Sequence, residues 1–253
     1  ASFRFAGAEV GADYSYTITS SAGGTPVTAA GTLASGDEQI AGIDLSALSD
    51  GTLTLSVVLT DAAGNDAAAV TDTVMLDTSA PSGQSVSFVS DLINAAQATS
   101  AGFSLTDAEI GATYDYTISS NNGGSIVTGS GTVARANELI NGLDLVTLND
   151  GTLTLSADVT DAAGNTAASV TDTAILDTSV PEGHSVSFDA EFISASEATA
   201  VSFTFSDAEP GADYSYTISS SGGGTPVAGA GVVAGVTDQV GGLDVSGLGD
   251  GIL

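Results

Sequence analysis

Gly51-Thr-Leu-Thr-Leu-Ser-Val-Val-Leu-Thr-Asp-Ala-Ala-Gly-Asn65 decides how this chain folds. It comes back one hundred residues later as Gly151-Thr-Leu-Thr-Leu-Ser-Ala-Asp-Val-Thr-Asp-Ala-Ala-Gly-Asn165, with 12 of 15 positions identical. Each copy runs on into a second shared segment, Val70-Thr-Asp-Thr-Val-Met-Leu-Asp-Thr-Ser-Ala-Pro81 and Val170-Thr-Asp-Thr-Ala-Ile-Leu-Asp-Thr-Ser-Val-Pro181. Leu53, Leu55, Val57 and Leu59 alternate with Thr52, Thr54, Ser56 and Val58, the period of a strand with one face buried. Asp61-Ala-Ala-Gly64-Asn65 supplies turn chemistry, and Pro81 ends the second strand by removing a backbone donor. The stretch therefore reads as the last hairpin of a β-module and the linker to the next.

The same spacing governs the rest of the chain. Gly11-Ala-Asp-Tyr-Ser-Tyr16 recurs as Gly111-Ala-Thr-Tyr-Asp-Tyr116 and Gly211-Ala-Asp-Tyr-Ser-Tyr216, and Asp50-Gly51 recurs as Asp150-Gly151 and Asp250-Gly251. Three copies keep one register, which divides the chain into modules at 1–78, 79–178 and 179–253. In the middle copy seven strands are expected: near Ser85–Ile93, near Thr99–Thr106, Thr113–Ser119, Ile126–Val133, near Leu139–Leu145, Thr152–Thr160 and Ala168–Asp177. Seven short strands per hundred residues, Gly- and Asn-rich turns and no helical period predict an all-β chain of tandem immunoglobulin-like β-sandwich modules. By this register the first copy begins at its second strand and the third stops at the start of its sixth, so the chain reads as a window cut from a longer protein.

The chain carries 2 Lys+Arg against 31 Asp+Glu, a formal charge of −29. Disorder needs low hydrophobicity as well as high charge, and a mean hydropathy of +0.29 argues for folding. The only basic side chains are Arg4 and Arg135, which excludes nucleic acid and anionic membranes as electrostatic partners and points to cations. There is no cysteine, so no disulfide stiffens the modules. No run approaches the ~18 apolar residues of a membrane span, and Ala1-Ser-Phe-Arg-Phe5 does not read as a signal peptide.

The topology sorts the acidic residues by pole. The loops after the second and sixth strands lie at the leading pole of a sandwich; the turn before the sixth strand and the exit of the seventh lie at the trailing pole. At the first junction this gathers Asp107, Glu109, Asp161 and Asn165 of the middle module with Asp50 and Asp77 of the preceding one. At the second it gathers Asp150, Asp177, Asp207 and Glu209. Carboxylates crowded into a partly desolvated gap repel one another, and a hard divalent cation such as Ca²⁺ relieves this with oxygen ligands. Zinc and copper are disfavoured without thiolates and with one imidazole. The competing reading is that Asp61-Ala-Ala-Gly-Asn65 is a good turn, Asp77-Thr-Ser79 a capped linker, and the charge a solubilising surface. Neither an EF-hand loop nor a Gly-Gly-x-Gly-x-Asp calcium roll occurs.

The recurring Gly-Thr-Leu-Thr-Leu-Ser, Thr-Asp-Ala-Ala-Gly-Asn and Leu-Asp-Thr-Ser-x-Pro segments resemble the bacterial immunoglobulin-like repeats of giant surface adhesins exported by type I secretion, over essentially the whole chain. The resemblance implies an extracellular stalk of modules on the bacterial cell surface, with Ca²⁺ held at the linkers and each module touching its neighbours along the chain. Carried over by position, it implies Asp77, Asp107, Glu109, Asp161 and Asn165 as ligands. The first module departs from the pattern, because Gly7 stands where Asp107 and Asp207 stand; Glu9, Asp61 and Asn65 remain.

Other chemistry finds less support. His184 is the only histidine and follows a linker in a polar stretch, so it reads as a surface residue. Paired carboxylates can cleave glycosides, but a catalytic site is rarely tiled at every junction, and no enzyme is expected. The Gly-Gly pairs at Gly23, Gly123 and Gly223 lie in turns that lead to no helix, which argues against phosphate binding. Tyr14 and Tyr16, with their counterparts in the other copies, read as core. Asp72 and Asp172 fall in the inward register of the seventh strand, which suggests a bulge there. Two alternatives to a stalk stay open: a module binding glycan or protein through an exposed face, and a subunit joining copies of itself head to tail into a filament.

Overall fold

A computed structural model describes residues 1–253, and the chain divides into two compact units, Ala1–Asp177 and Thr178–Leu253. The first repeat contains β1 (Ser2–Arg4), β2 (Asp13–Ser20), β3 (Val27–Thr32), β4 (Gln39–Ala41), β5 (Gly51–Thr60) and β6 (Val70–Leu76). The middle repeat contains β7 (Ser85–Phe88), β8 (Leu92–Ile93), α1 (Ala95–Ala98), β9 (Ala101–Thr106), β10 (Thr113–Ser120), β11 (Val127–Thr132), β12 (Glu138–Leu143), β13 (Gly151–Thr160) and β14 (Val170–Leu176). The third contains β15 (Ser185–Phe188), β16 (Val201–Ser206), β17 (Asp213–Ile218), β18 (Val227–Val232) and β19 (Asp238–Leu243).

Strands pair only within a repeat, so the fold is a tandem of β-sandwiches, as the spacing predicts. In the middle repeat β12-β9-β7 form one sheet and β11-β10-β13-β14-β8 the other. The third to seventh expected strands all form, with ends moved by one or two residues. The first expected strand, Ser85–Ile93, does not run through. It breaks after Phe88, so that β7 pairs antiparallel with β9 in one sheet while β8 pairs parallel with β14 in the other. A single segment thus ties both sheets together. The short helix α1 is a second departure: Asn94 and Gln97 form a reciprocal capping box, and one turn is too short to leave a helical period in the sequence.

Two sheets face each other through alternating residues. Phe103, Leu105, Ile118, Leu145, Leu153, Leu155 and Val159 are completely buried in the middle repeat, and burying each such side chain stabilises the fold by about 1.5–3 kcal/mol. Without tryptophan, aromatic packing rests on a Phe–Tyr edge-to-face pair present in every copy: Phe3–Tyr16, Phe103–Tyr116 and Phe203–Tyr216, at 5.2, 5.1 and 5.2 Å. Tyr114 lies over Gly131 of the edge strand β11 so closely that an added Cβ would sit 2.5 Å from its hydroxyl. The tyrosines therefore belong to the core and its rim.

The expected bulge at Asp72 and Asp172 is absent. Leu55 opposes Asp72 and Leu155 opposes Asp172 in unbroken ladders. The inward carboxylate is accommodated differently: Asp172 Oδ2 accepts the backbone N–H of Phe88 at 2.7 Å. Bulges lie instead between Asn141 and Leu143 in β12, opposite β9, and between Val201 and Phe203 in β16, opposite β19.

Candidate junction site

The Asp-Ala-Ala-Gly-Asn turn joins β13 to β14 and builds itself around one carboxylate. Asp161 Oδ1 accepts the N–H groups of Ala163 and Asn165 at 2.9 and 2.8 Å, while Oδ2 accepts the Asn165 side-chain amide at 2.8 Å. The turn closes with the Asp161 N–H donating to the Asn165 carbonyl at 3.1 Å. This Asx-type lock explains both the aspartate and the asparagine of the motif. Asp61 and Asn65 repeat it at nearly the same distances. Both aspartates are held below the usual carboxylate range, chiefly by the bond from the asparagine side chain.

Within the first unit, the linker after β6 is gripped from both sides. Asp50, in the turn before β5, accepts the hydroxyls of Thr78 at 2.8 Å and Ser79 at 2.7 Å, and these bonds lower its pKa, Ser79 first. From the following repeat, Asn165 donates its amide to the Asp77 carbonyl at 3.1 Å. The Asp77 carboxylate accepts the Ser79 N–H at 3.1 Å, and Pro81 is buried. Asp50 and Asn165 therefore meet on the five-residue linker that Asp77 begins, and Asp161 stands behind Asn165.

Asp107 and Glu109 are exposed, and the Asp107 backbone is unusual. Its φ is 54°, that of Asp207 is 55° and that of Gly7 is 65°. The position demands a left-handed residue, which glycine adopts freely and aspartate tolerates. Replacement of the aspartate by Gly7 in the first copy is then a conservative change, and Glu9 beside it is exposed. Asp150 is half-buried in the turn before β13, and Asp177, the last residue of its unit, is exposed; in the other unit Asp207 and Glu209 are exposed. No three Asp, Glu or His side chains stand close enough to share one ion.

Several acids that the sequence did not single out turn out to be turn locks. Glu38 and Glu138 each accept two N–H groups of the loop that precedes them, at residues 34–35 and 134–135, and Asp238 accepts the N–H of Ala234. Asp44, Asp144 and Asp244 each accept the N–H two residues on. Asp44 is held low mainly by the Ser46 N–H, and Asp244 mainly by the Ser246 hydroxyl. The signal for these was the period itself, since an acid recurs at the same place in all three copies. His184 is exposed, as its sequence setting predicts, and borders a groove with Glu209 and Tyr214. No helix is long and apolar enough to cross a membrane.

The donor set is entirely oxygen and suits a hard cation by its chemistry. As arranged here, both oxygens of Asp50, Asp61 and Asp161 already accept hydrogen bonds from the protein.

No protein-family model matches the chain, and no curated protein matches it. Among solved structures it is similar to a tetra-tandem repeat in the extending region of a large adhesion protein, at 28% identity and a TM-score of 0.37. That match covers 97% of this chain, which spans 62% of the length of the other. It is similar also to a 1.5-MDa bacterial ice-binding adhesin, at 22% identity over 94% of this chain and 77% of that one, with a TM-score of 0.39. A two-domain fibronectin type III segment from chicken tenascin follows at 15% identity over 69% and 90%, with a TM-score of 0.30.

Proposed function

We propose that this chain is an extender segment of a bacterial surface adhesin, a row of immunoglobulin-like modules that works outside the cell and has no catalytic role. The observation that carries this reading is the linker within the first unit, held by Asp50 from one repeat and by Asn165 from the next. A connection bonded to both neighbours transmits orientation along the chain. Loops that agree copy by copy serve spacing better than recognition, which favours one divergent face.

Calcium is the second half of the proposal. It rests on the charge of −29 and on the oxygen donors of Asp50, Asp77 and Asn165 at one linker, with Asp161 bonded to Asn165. Small-angle scattering of the full chain, from EDTA to about 1 mM Ca²⁺, tests both halves, because extracellular calcium modules bind in the roughly 10⁻⁴–10⁻³ M range. Each module should contribute ~30–40 Å of length, from strands rising ~3.3 Å per residue. At about 1 mM, roughly one to ten times such a dissociation constant, calcium should stabilise each occupied site by about 0.4–1.4 kcal/mol, and Asp77→Asn with Asp107→Asn should blunt the response. A profile and melting temperature that ignore calcium would remove the metal and leave the stalk. A compact profile throughout would remove the stalk, long fibres would point to a head-to-tail filament, and glycan capture by the fragment would point to a binding module.

A further inference from the structure

Asp172 is an inward-facing carboxylate that the spacer role does not use. It sits in β14 opposite Leu155, half-buried, and its Oδ2 accepts the N–H of Phe88, a residue 84 positions earlier and 5% exposed. Phe88 is the last residue of β7, where the chain leaves one sheet for the other. Immediately beyond it, Ile175 N–H donates to the Asp91 carbonyl at 2.8 Å and Asp177 N–H donates to the Ile93 carbonyl at 3.0 Å. The parallel pair β8–β14 aligns Leu92 with Ile175 and Ile93 with Leu176. The β8–β14 ladder thus joins the first and last strands of the module, and the Asp172 side chain adds a bond that reaches across the two sheets.

Direction gives these bonds a mechanical meaning. The chain enters the module through Pro81 and β7–β8 and leaves it through β14. In a parallel pair the leading end of the first strand and the trailing end of the last point opposite ways. Tension along the array therefore slides β8 and β14 past each other, loading their bonds together; an antiparallel terminal pair pulled from one end would lose them one at a time. Asp172 anchors the segment upstream of that pair and satisfies a buried N–H that has no ladder partner at the crossover. Asp72 stands in the same Val-Thr-Asp-Thr context, and its Oδ1 accepts the N–H of Thr73 at 2.8 Å.

We propose that Asp172 is a positioning residue that latches β7 to β14, so that the module bears tension in shear through its first and last strands. Its biological use rests on the stalk reading, but the latch is testable by itself.

The test stretches the full chain between its termini and follows rupture of the middle repeat, recognised by release of about 100 residues or roughly 350 Å of contour. At constant force Asp172→Ala should rupture about tenfold faster, the scale of one hydrogen bond to a charged group, since forced unfolding follows the unfolding rate. Asp172→Asn keeps an acceptor oxygen for Phe88 and should recover most of the lost lifetime. Asp72→Ala should leave this rupture unchanged. Val133→Ala, a fully buried truncation beyond the far edge strand, should lower thermal stability while changing the rupture rate less than about twofold. Rupture of Asp172→Ala at the unaltered rate, or equal acceleration by Val133→Ala, overturns the latch. Should the alanine variant not fold, amide exchange in the unaltered chain decides: Phe88, Ile175 and Asp177 should be protected together, and a freely exchanging Phe88 overturns the proposal. An unaltered rupture removes the latch and leaves the stalk; a compact scattering profile removes the stalk and leaves the rupture comparison intact.

Discussion

Asp61–Asn65 and Asp161–Asn165 are the same five residues folded into the same turn, with the same three side-chain bonds. Their surroundings differ. Asp61 is half-buried, whereas Asp161 is 6% exposed and its asparagine also holds the linker of the preceding repeat. The turn is therefore a local object that forms without help, and the junction is made by a spare N–H that the turn leaves pointing outward. The terminal strands teach the same lesson from inside. Val86 and Phe88 are 8% and 5% exposed beside β14, and Ala174 is 3% exposed beneath β7 and β8. Burial at these positions accompanies the pairing of the first and last strands of the middle repeat.

The largest expected effect breaks that pairing. Phe88→Ala should cost about 3–5 kcal/mol, as truncation of a buried aromatic does. Urea unfolding resolved by amide exchange in the middle repeat measures it, and a loss under about 1 kcal/mol would show that the first strand adds little to the core. A smaller effect should separate the two turns. Asn165→Ala removes a turn bond and a linker bond, about 1–2 kcal/mol at roughly 1 kcal/mol each, and Asn65→Ala removes the turn bond alone. If the two variants melt alike, the bond to Asp77 contributes nothing.

Acid provides the gentlest probe. Asp61 and Asp161 have folded-state pKa values below the unfolded value of about 3.9. Their contribution is thus complete above that value and is lost as pH falls through the folded value. Carboxyl resonances of both should titrate below about 3.9, and amide exchange at Ala63 and Ala163 should quicken only in that window. Loosening of either turn near neutral pH would contradict the lock. The effect should be smaller at Asp61, which is more open to screening water than Asp161.

Much of this molecule was legible in its period. The alternation of Leu53, Leu55 and Val57, the tyrosine pairs of β2, β10 and β17, and the turn of Asp161 with Asn165 all depend on residues a few positions apart, and such short-range chemistry is written directly in the order of side chains. The left-handed backbone at Gly7, Asp107 and Asp207 was legible in principle, since glycine and aspartate alternating at one position is the mark of that conformation. What the sequence could not determine are the bonds that span 84 and 88 residues, from Phe88 to Asp172 and from Asn165 to the Asp77 carbonyl. Their partners come from different sheets or different repeats. Which inward carboxylate meets which unpaired N–H is decided by how the sheets stack and where the first strand crosses between them, and those distances exist only after the chain has folded.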